Sequence, residues 1–301
     1  MSRQILFEVA ETSRQAFHQW LLTSSYQRAR TPAKLVLEMA WQIRKNFLPG
    51  SSAREVYFYI RDKHEQYNLL LLGWGKHAFE ALCLVNGLRI VNRKFVPKTT
   101  IRGDFVFPNR IEGLTIRGIN HVWASDICYL FGTNGVLVGY ATSLIDLYSR
   151  RLLGLSFSQT MHAKVTSHEV LKQALLVRKE ADFKDLFFHS DGGKQYIETA
   201  FLATLKNKGI QSSMAASCYE NAFAESFNDI LKNHMLFDLN INSFHQLKKQ
   251  ERFIKDCYNF NRRHNSIQKT TPCEYEQLIL TLQPCQRTEL EIKVIPKNNL
   301  P

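Results

Sequence analysis

Apolar positions recur with two different periods along the chain, and the change of period divides it. From residue 1 to about 95 the spacing is helical. In VAETSRQAFHQWL, Thr12 or Ser13 can cap a helix beginning near Arg14. AKLVLEMAWQIRKNF predicts a longer helix, and PGSSAREVYFYIRDK opens with the capping box Ser52-x-x-Glu55. GKHAFEALCLVNG closes on Asn86-Gly87, a helix C-cap signal. Residues 96–118, VPKTTIRGDFVFPNRIEGLTIRG, mix proline and glycine without a period and predict a linker. From His121 onward strand and helix patterns alternate. Three apolar runs rich in β-branched and aromatic residues are separated by Thr133-Asn134-Gly135 and by Tyr148-Ser149-Arg150, which predicts three antiparallel strands. A helix over about 164–179 follows, then a short buried strand in DLFFHSD, a helix over about 197–208 and a strand in IQSSM. An amphipathic helix starts near Tyr219, and a last long helix spans about 243–263. The order β-β-β-α-β-α-β-α-α predicts an α/β domain with a mixed sheet and flanking helices. The tail from about Gln283 is polar and is expected to be loose.

Charge sharpens this division. The 301 residues carry a net charge of +12, and +9 of it lies in residues 1–118. Short helices with arginine and lysine on their outer faces suit helix-turn-helix binding to a polyanion such as DNA. No apolar run approaches the length of a membrane span, and the N-terminus lacks a signal peptide's pattern, so a cytoplasmic protein is expected. The six cysteines are scattered without a CxxC pair, which excludes a disulfide framework or a zinc-site spacing.

The candidate chemistry is carboxylate chemistry. Asp126 lies inside the first predicted strand, where an aspartate is disfavoured and its charge is costly to bury. Asp191 ends a strand, in HSDGG, at the end where ligands gather in α/β sheets. On the helix after Tyr219, Phe223, Phe227, Ile230 and Leu231 share one face, while Asn221, Glu225, Asn228 and Lys232 form a stripe on the other. A glutamate on such a stripe is ordinarily just the solvated side of a helix. Three acids held close repel one another unless a hard divalent cation joins them, and an all-oxygen cluster favours magnesium or manganese. Asp146, in SLIDLYS, is a strand acid of the same quality as Asp126, and spacing alone does not separate the two. His189 is a candidate ligand, base or orienting group. His264 lies in a basic stretch where a phosphate contact is as consistent as catalysis.

The stretches HVWASDICYL, SLIDLYSRRLLG, HSDGGKQY, KGIQSSM, CYENAFAESFNDILKNHML and YNFNRRHNSIQKTTPCEY occur in one order across residues 119–278. The ordered set resembles the integrase-core, OrfB-type transposases of bacterial insertion sequences, relatives of retroviral integrases. SRQAFHQW and PGSSAREVYFYI…GWGKHAFEALCLVNGLRI look like that family's helix-turn-helix segments. The resemblance implies an RNase H-like mixed five-stranded sheet over residues 119–282, preceded by a helical DNA-binding region over 1–95 and the linker 96–118, and followed by the tail 283–301. It implies a catalytic, metal-holding triad of Asp126, Asp191 and Glu225, and so assigns Asp146 to a different role. It also implies two magnesium ions, with manganese able to substitute, and DNA contacts from Asn221, Lys232, Arg262, Arg263 and His264. Lys232 stands seven residues, about two helical turns, beyond Glu225.

The implied activity is cleavage of DNA at the ends of an insertion sequence and transfer of the 3′ end to target DNA. The implied partners are double-stranded DNA, carrying the element's terminal inverted repeats or the target site, and further copies of the chain assembled on it. The implied location is the bacterial cytoplasm and nucleoid. In such elements a frameshift often fuses this reading frame to an upstream one, and the early helix-turn-helix pattern fits a second-frame product. Two features depart from the family pattern. Only 33 residues separate Asp191 from Glu225, a slightly short interval whose deficit falls on AASCY, and Gly192 stands where an arginine is usual. Two other classes fit part of the pattern: a catalytically inactive DNA-binding repressor, and an RNase H-like nuclease without strand transfer.

Overall fold

A computed structural model describes residue 15 and residues 31–63, 69–90, 107–179, 181–215 and 222–292. The helix expected from Arg14, the linker before residue 107, Asn221 and the tail beyond residue 292 lie outside the described residues. The chain divides into two compact units, one of residues 1–46 and 51–90 and one of residues 47–50 and 91–301.

In the first unit, α1 (Ala33–Phe47), α2 (Ala53–Lys63) and α3 (Lys76–Val85) follow the predicted spans. The Ser52 capping box forms, with the Ser52 N–H donating to Glu55 at 2.8 Å and the Glu55 N–H donating back to Ser52 Oγ at 3.3 Å. Gly87, at φ +82°, takes the left-handed position that ends α3. Val36, Ala40, Val56, Ile60, Phe79 and Cys83 form this unit's core. Arg44 is buried within it and donates twice to the Arg89 carbonyl.

The second unit is built on a five-stranded sheet of β2 (Val122–Phe131), β3 (Leu137–Asp146), β4 (Leu152–Ser158), β5 (Phe187–Ser190) and β6 (Gln211–Met214), in the spatial order β4-β3-β2-β5-β6. The short strand β1 (Thr115–Ile116) precedes them in the chain. β2, β3 and β4 are antiparallel neighbours, and β5 and β6 continue the sheet in parallel with β2. This is the RNase H-like arrangement that the resemblance implies. The β2–β3 connection turns at Gly135, φ +78°, whose N–H donates to the Gly132 carbonyl at 2.9 Å. Both faces of the sheet are covered, which explains why its strands read as near-continuous apolar runs. On one face Trp123, Leu144 and Leu153 meet Val170, Leu171 and Ala174 of α4 (Ser167–Val177) and Phe201 and Leu205 of α5 (Thr199–Asn207). On the other face Cys128, Leu130, Ala141 and Ile145 meet Phe227 of α6 (Ala222–Asp229), then Leu231 and Met235 of the π-helical stretch Ile230–Met235 that continues it. The same layer holds Leu247 of α7 (Phe244–Lys249) and Ile254 of α8 (Glu251–Asp256).

The single predicted helix over 243–263 is therefore α7, α8 and a second π stretch, Cys257–Asn261. An additional helix, α9 (Pro272–Thr281), completes the layer. Its N-terminal capping box, Thr271-x-x-Glu274 with Pro272 at the first position, is a start signal present in the sequence. The tail expected to be loose from Gln283 is ordered through residue 292. β7 (Leu290–Glu291) pairs antiparallel with β1, and the Ile292 N–H donates to the Leu114 carbonyl at 2.9 Å. The local sequence carries no sign of this, because the partner strand Thr115–Ile116 comes from a distant part of the chain.

β4 lies at the edge of the sheet, where unpaired backbone groups invite another strand. Side chains from the helical layers occupy them. Asn259 accepts from the Leu152 N–H and donates to the Leu152 carbonyl, both at 2.9 Å. Gln173 does the same for Leu155 at 3.1 and 3.0 Å, and Glu251 accepts from the Phe157 N–H at 2.8 Å.

Behind the sheet, Glu276 of α9 is buried and accepts hydrogen bonds from Ser149, Arg151 and Arg178. Burial alone would raise its pKa, but the hydrogen bond and charge of Arg178, with Arg151, hold the carboxyl below its usual range. Asp146, fully buried, accepts the N–H groups of Asn120, Tyr148 and Ser149 and so shapes the β3–β4 turn. Replacing Glu276 by alanine strands two arginines in this interior. Glu276→Ala is expected to cost about 3–5 kcal/mol in urea unfolding, and a change under about 1 kcal/mol would show that the ion pairs are solvated and weak.

Candidate active site

Asp126 and Asp191 are brought side by side by strand register. β2 and β5 pair in parallel with Ala124 opposite His189, and continuing that register by two residues sets Asp191 level with Asp126 one strand away. Both side chains are partly buried. Asp191 is fixed by a 3.1 Å hydrogen bond from the Gly193 N–H, the turn that follows β5. Asp126 points into the face covered by α6, where the Asn228 amide donates to its Oδ2 at 2.7 Å. Glu225, one turn before Asn228, is exposed on the same helix.

The electrostatics show the crowding. Burial first, then the charges of Asp191 and Glu225, push the Asp126 carboxyl up to about 7 against the pull of the Ile127 N–H and Lys232. Burial also raises Asp191, and it raises Glu225 against the opposing pull of Lys232. Lys232 lies in the π stretch, whose extra residue per turn shifts its phase relative to Glu225, yet its charge still reaches Asp126, Cys128 and Glu225. Three of the expected residues, Asp191, Glu225 and Lys232, thus act on the fourth, Asp126. Among the described residues no three histidine, cysteine, aspartate or glutamate side chains stand close enough to hold a metal ion as placed. The donor set nonetheless suits a hard cation, because it is all oxygen and carries net negative charge.

Arg262, Arg263 and His264 follow the second π stretch and are part-buried. The His264 ring stacks edge-on against Tyr258 at 4.8 Å, and burial with the charges of Arg262 and Arg150 pushes its pKa down to about 3. His264 is therefore a neutral ring at neutral pH. Asp146 sits in the separate network behind the sheet, away from this group.

Two residues of the site escaped the sequence reading. Asn228 belongs to the polar stripe of α6 but is buried, and its Oδ1 has no hydrogen-bond partner among the described residues. Tyr196 is buried beneath the acids, its hydroxyl 2.9 Å from Ser125 Oγ, and the charges of Asp191 and Asp126 both act on it. Its one signal is its place five residues after Asp191 in HSDGGKQY.

Comparison with known proteins covers the same region of the chain. Two models of the integrase core domain match residues 117–218 and 208–272, together more than half of the chain. Residues 117–272 thus belong to the integrase core domain family. Its relatives include the transposase for insertion sequence element IS904 of Lactococcus lactis subsp. lactis, 30% identical over 52% of this chain and 62% of that protein. Transposase InsF for insertion sequence IS3A of Escherichia coli is 34% identical over 63% of this chain and 66% of that protein. The integrase-core chain thus spans a little under two thirds of the length of these relatives. Among solved structures, the HTLV-2 integrase catalytic core domain in complex with magnesium is similar at 16% identity, covering 57% of this chain and 98% of that one with a TM-score of 0.41.

A raised carboxylate pKa makes the metal-free integrase core sensitive to pH in a direction opposite to that of an ion-paired acid. Because the folded pKa of Asp126 lies above its unfolded value, folding is penalised above pH 7 and relieved as pH falls from about 7 towards 4. Asp126→Asn is expected to raise the melting temperature of the metal-free protein at pH 8, with the gain fading as pH falls. Scanning fluorimetry across pH checks this, and a gain that does not vary with pH would remove the charge from the explanation.

Proposed function

We propose that this integrase core is the catalytic part of an insertion-sequence transposase, which cleaves DNA at the element's ends and joins the freed 3′ end to a target. What supports this most directly is that Asp191 and Glu225 both act on the buried Asp126 carboxyl, within a domain that matches the integrase core and has transposase relatives. These three side chains are the candidates to hold two magnesium ions. When bound, such ions supply Lewis acidity at the scissile phosphate and lower the pKa of an attacking hydroxyl.

The protein's own groups do the positioning. Asp126 must be ionised to serve, and loss of its proton becomes easier as the negative charge around it is offset. Asn228 fixes the Asp126 carboxylate through its amide, leaving the second oxygen for a ligand. Glu225 is exposed on the first turns of α6, and sharing an ion with the two aspartates would require its side chain to turn toward them. Lys232 places a cation beside the acids, where it both lowers their pKa values and favours an approaching phosphate. Asn221, Arg262 and Arg263 remain candidates for DNA contacts further along the strand. The helices of residues 31–90 are the candidate reader of the terminal inverted repeats. Assembly of several copies on paired ends, fusion to an upstream reading frame and residence at the nucleoid belong to the same proposal. Of the described residues, no helix is long and apolar enough to cross a membrane.

The test is strand transfer on duplexes carrying the inverted repeats that flank the gene, with magnesium or manganese. Asp126→Asn, Asp191→Asn and Glu225→Gln are each expected to remove cleavage and joining while sparing DNA binding. Asn228→Ala removes support and not a ligand, so a loss of about 10–100-fold is expected. Wild-type rates in a triad variant would refute the assignment, and hydrolysis without joining would replace a transposase by a nuclease.

A further inference from the structure

The β3–β4 turn carries an arginine whose position the fold alone does not explain. Arg150 adopts φ +62°, a left-handed conformation that disfavours a side chain and that glycine takes freely. Its side chain is turned inward and is largely covered. The guanidinium lies over the ring of Phe223 at 4.0 Å, and its Nη1 is buried with no hydrogen-bond partner among the described residues. A guanidinium cannot shed its charge to relieve this, so an unmet N–H donor in a covered place is a cost that folding alone does not return. Asp146 acts on Arg150 through its charge but makes no close pair with it, and the Asp146 oxygens already accept from Asn120, Tyr148 and Ser149.

The surroundings add positive potential. The charges of Arg150 and Arg262 reach the same two groups, Tyr258 and His264, so two arginines converge on one spot. Phe223 stands in the first turn of α6, two residues before Glu225 and at the helix end where the backbone dipole favours an anion. A flat, forked donor held against an aromatic plane is suited to a phosphodiester, whose oxygens take paired N–H bonds.

We propose that Arg150, held in plane by Phe223, contacts a backbone phosphate of a DNA strand that runs past the start of α6 towards the three acids. The identity of the anion rests on the transposase reading. The contact is to the backbone and carries no base preference, and it anchors the strand at the end of α6 opposite to Lys232.

Fluorescence anisotropy with a labelled inverted-repeat duplex and a scrambled duplex of equal length tests this, without divalent metal, from about 50 to about 200 mM salt. Arg150→Gly suits the turn, so the variant is expected to melt no lower than wild type. Its affinity is expected to fall about tenfold at low salt, equally for both duplexes, with the slope of log K against log salt shallower by about 0.9. Arg150→Lys, which keeps the charge but loses the fork, is expected to keep the slope and recover only part of the affinity. An unchanged slope in Arg150→Gly, or a lowered melting temperature with wild-type affinity, overturns the proposal and leaves Arg150 a packing residue. A wild-type chain that binds neither duplex overturns it together with the transposase reading, whereas DNA binding with no metal-dependent cleavage would fail that reading alone.

Discussion

Like charges held near one another at the middle of a sheet are the constraint around which this structure is arranged. Asp126 belongs to the central strand, and the parallel register of β5 brings Asp191 level with it. Repulsion and burial together leave the Asp126 carboxyl near neutrality in pKa, a value that no ordinary folding requirement would select. The surrounding side chains moderate that cost without removing it. Asn228 donates to one oxygen, Lys232 contributes a cation, and the Ile127 and Gly193 N–H groups serve the two aspartates.

A site under such strain needs a scaffold that does not move, and much of the rest of the domain supplies one. The edge strand β4 has outward backbone groups occupied by Asn259, Gln173 and Glu251, which ties the α4 and α8 layers to the sheet. The buried Glu276 with Arg151 and Arg178 fastens α9 to the turn after β3 and to the end of α4. These polar ties are directional, whereas the apolar layers tolerate sliding, so they hold the register on which the meeting of Asp126 and Asp191 depends. Two π-helical stretches, Ile230–Met235 and Cys257–Asn261, adjust the phase of the helices that pass beside the acids and the basic cluster. In the first of them the adjustment keeps Leu231 and Met235 buried while Lys232 still acts on Asp126.

The site divides into an acidic half and a basic half, linked by α6. Asn228 and Glu225 on that helix belong to the acids, and Phe223, a turn or less earlier, carries the guanidinium of Arg150. One short helix thus reaches both halves, and a displacement of α6 would move the Asn228–Asp126 and Phe223–Arg150 contacts together. Asp146 shows how similar residues part company. It is a strand acid like Asp126, but its oxygens accept two backbone N–H groups of the β3–β4 turn and that of Asn120 before β2.

Periodicity, caps and turn residues were enough to place the helices of residues 33–85 and the five main strands, because those signals are local and each segment shows its own apolar face. The motif order likewise pointed to Asp126, Asp191 and Glu225 as a set. Only the tertiary structure decided what a polar position faces. Asn228 reads as the wet side of a helix, since a helix's own pattern says where a residue points but not whether another layer, with an acid in it, stands there. The pairing of Leu290–Glu291 with Thr115–Ile116, the neutral state of His264 and the inward turn of Arg150 have the same origin. Each depends on groups far away in the chain, and burial and charge are properties of that assembled neighbourhood.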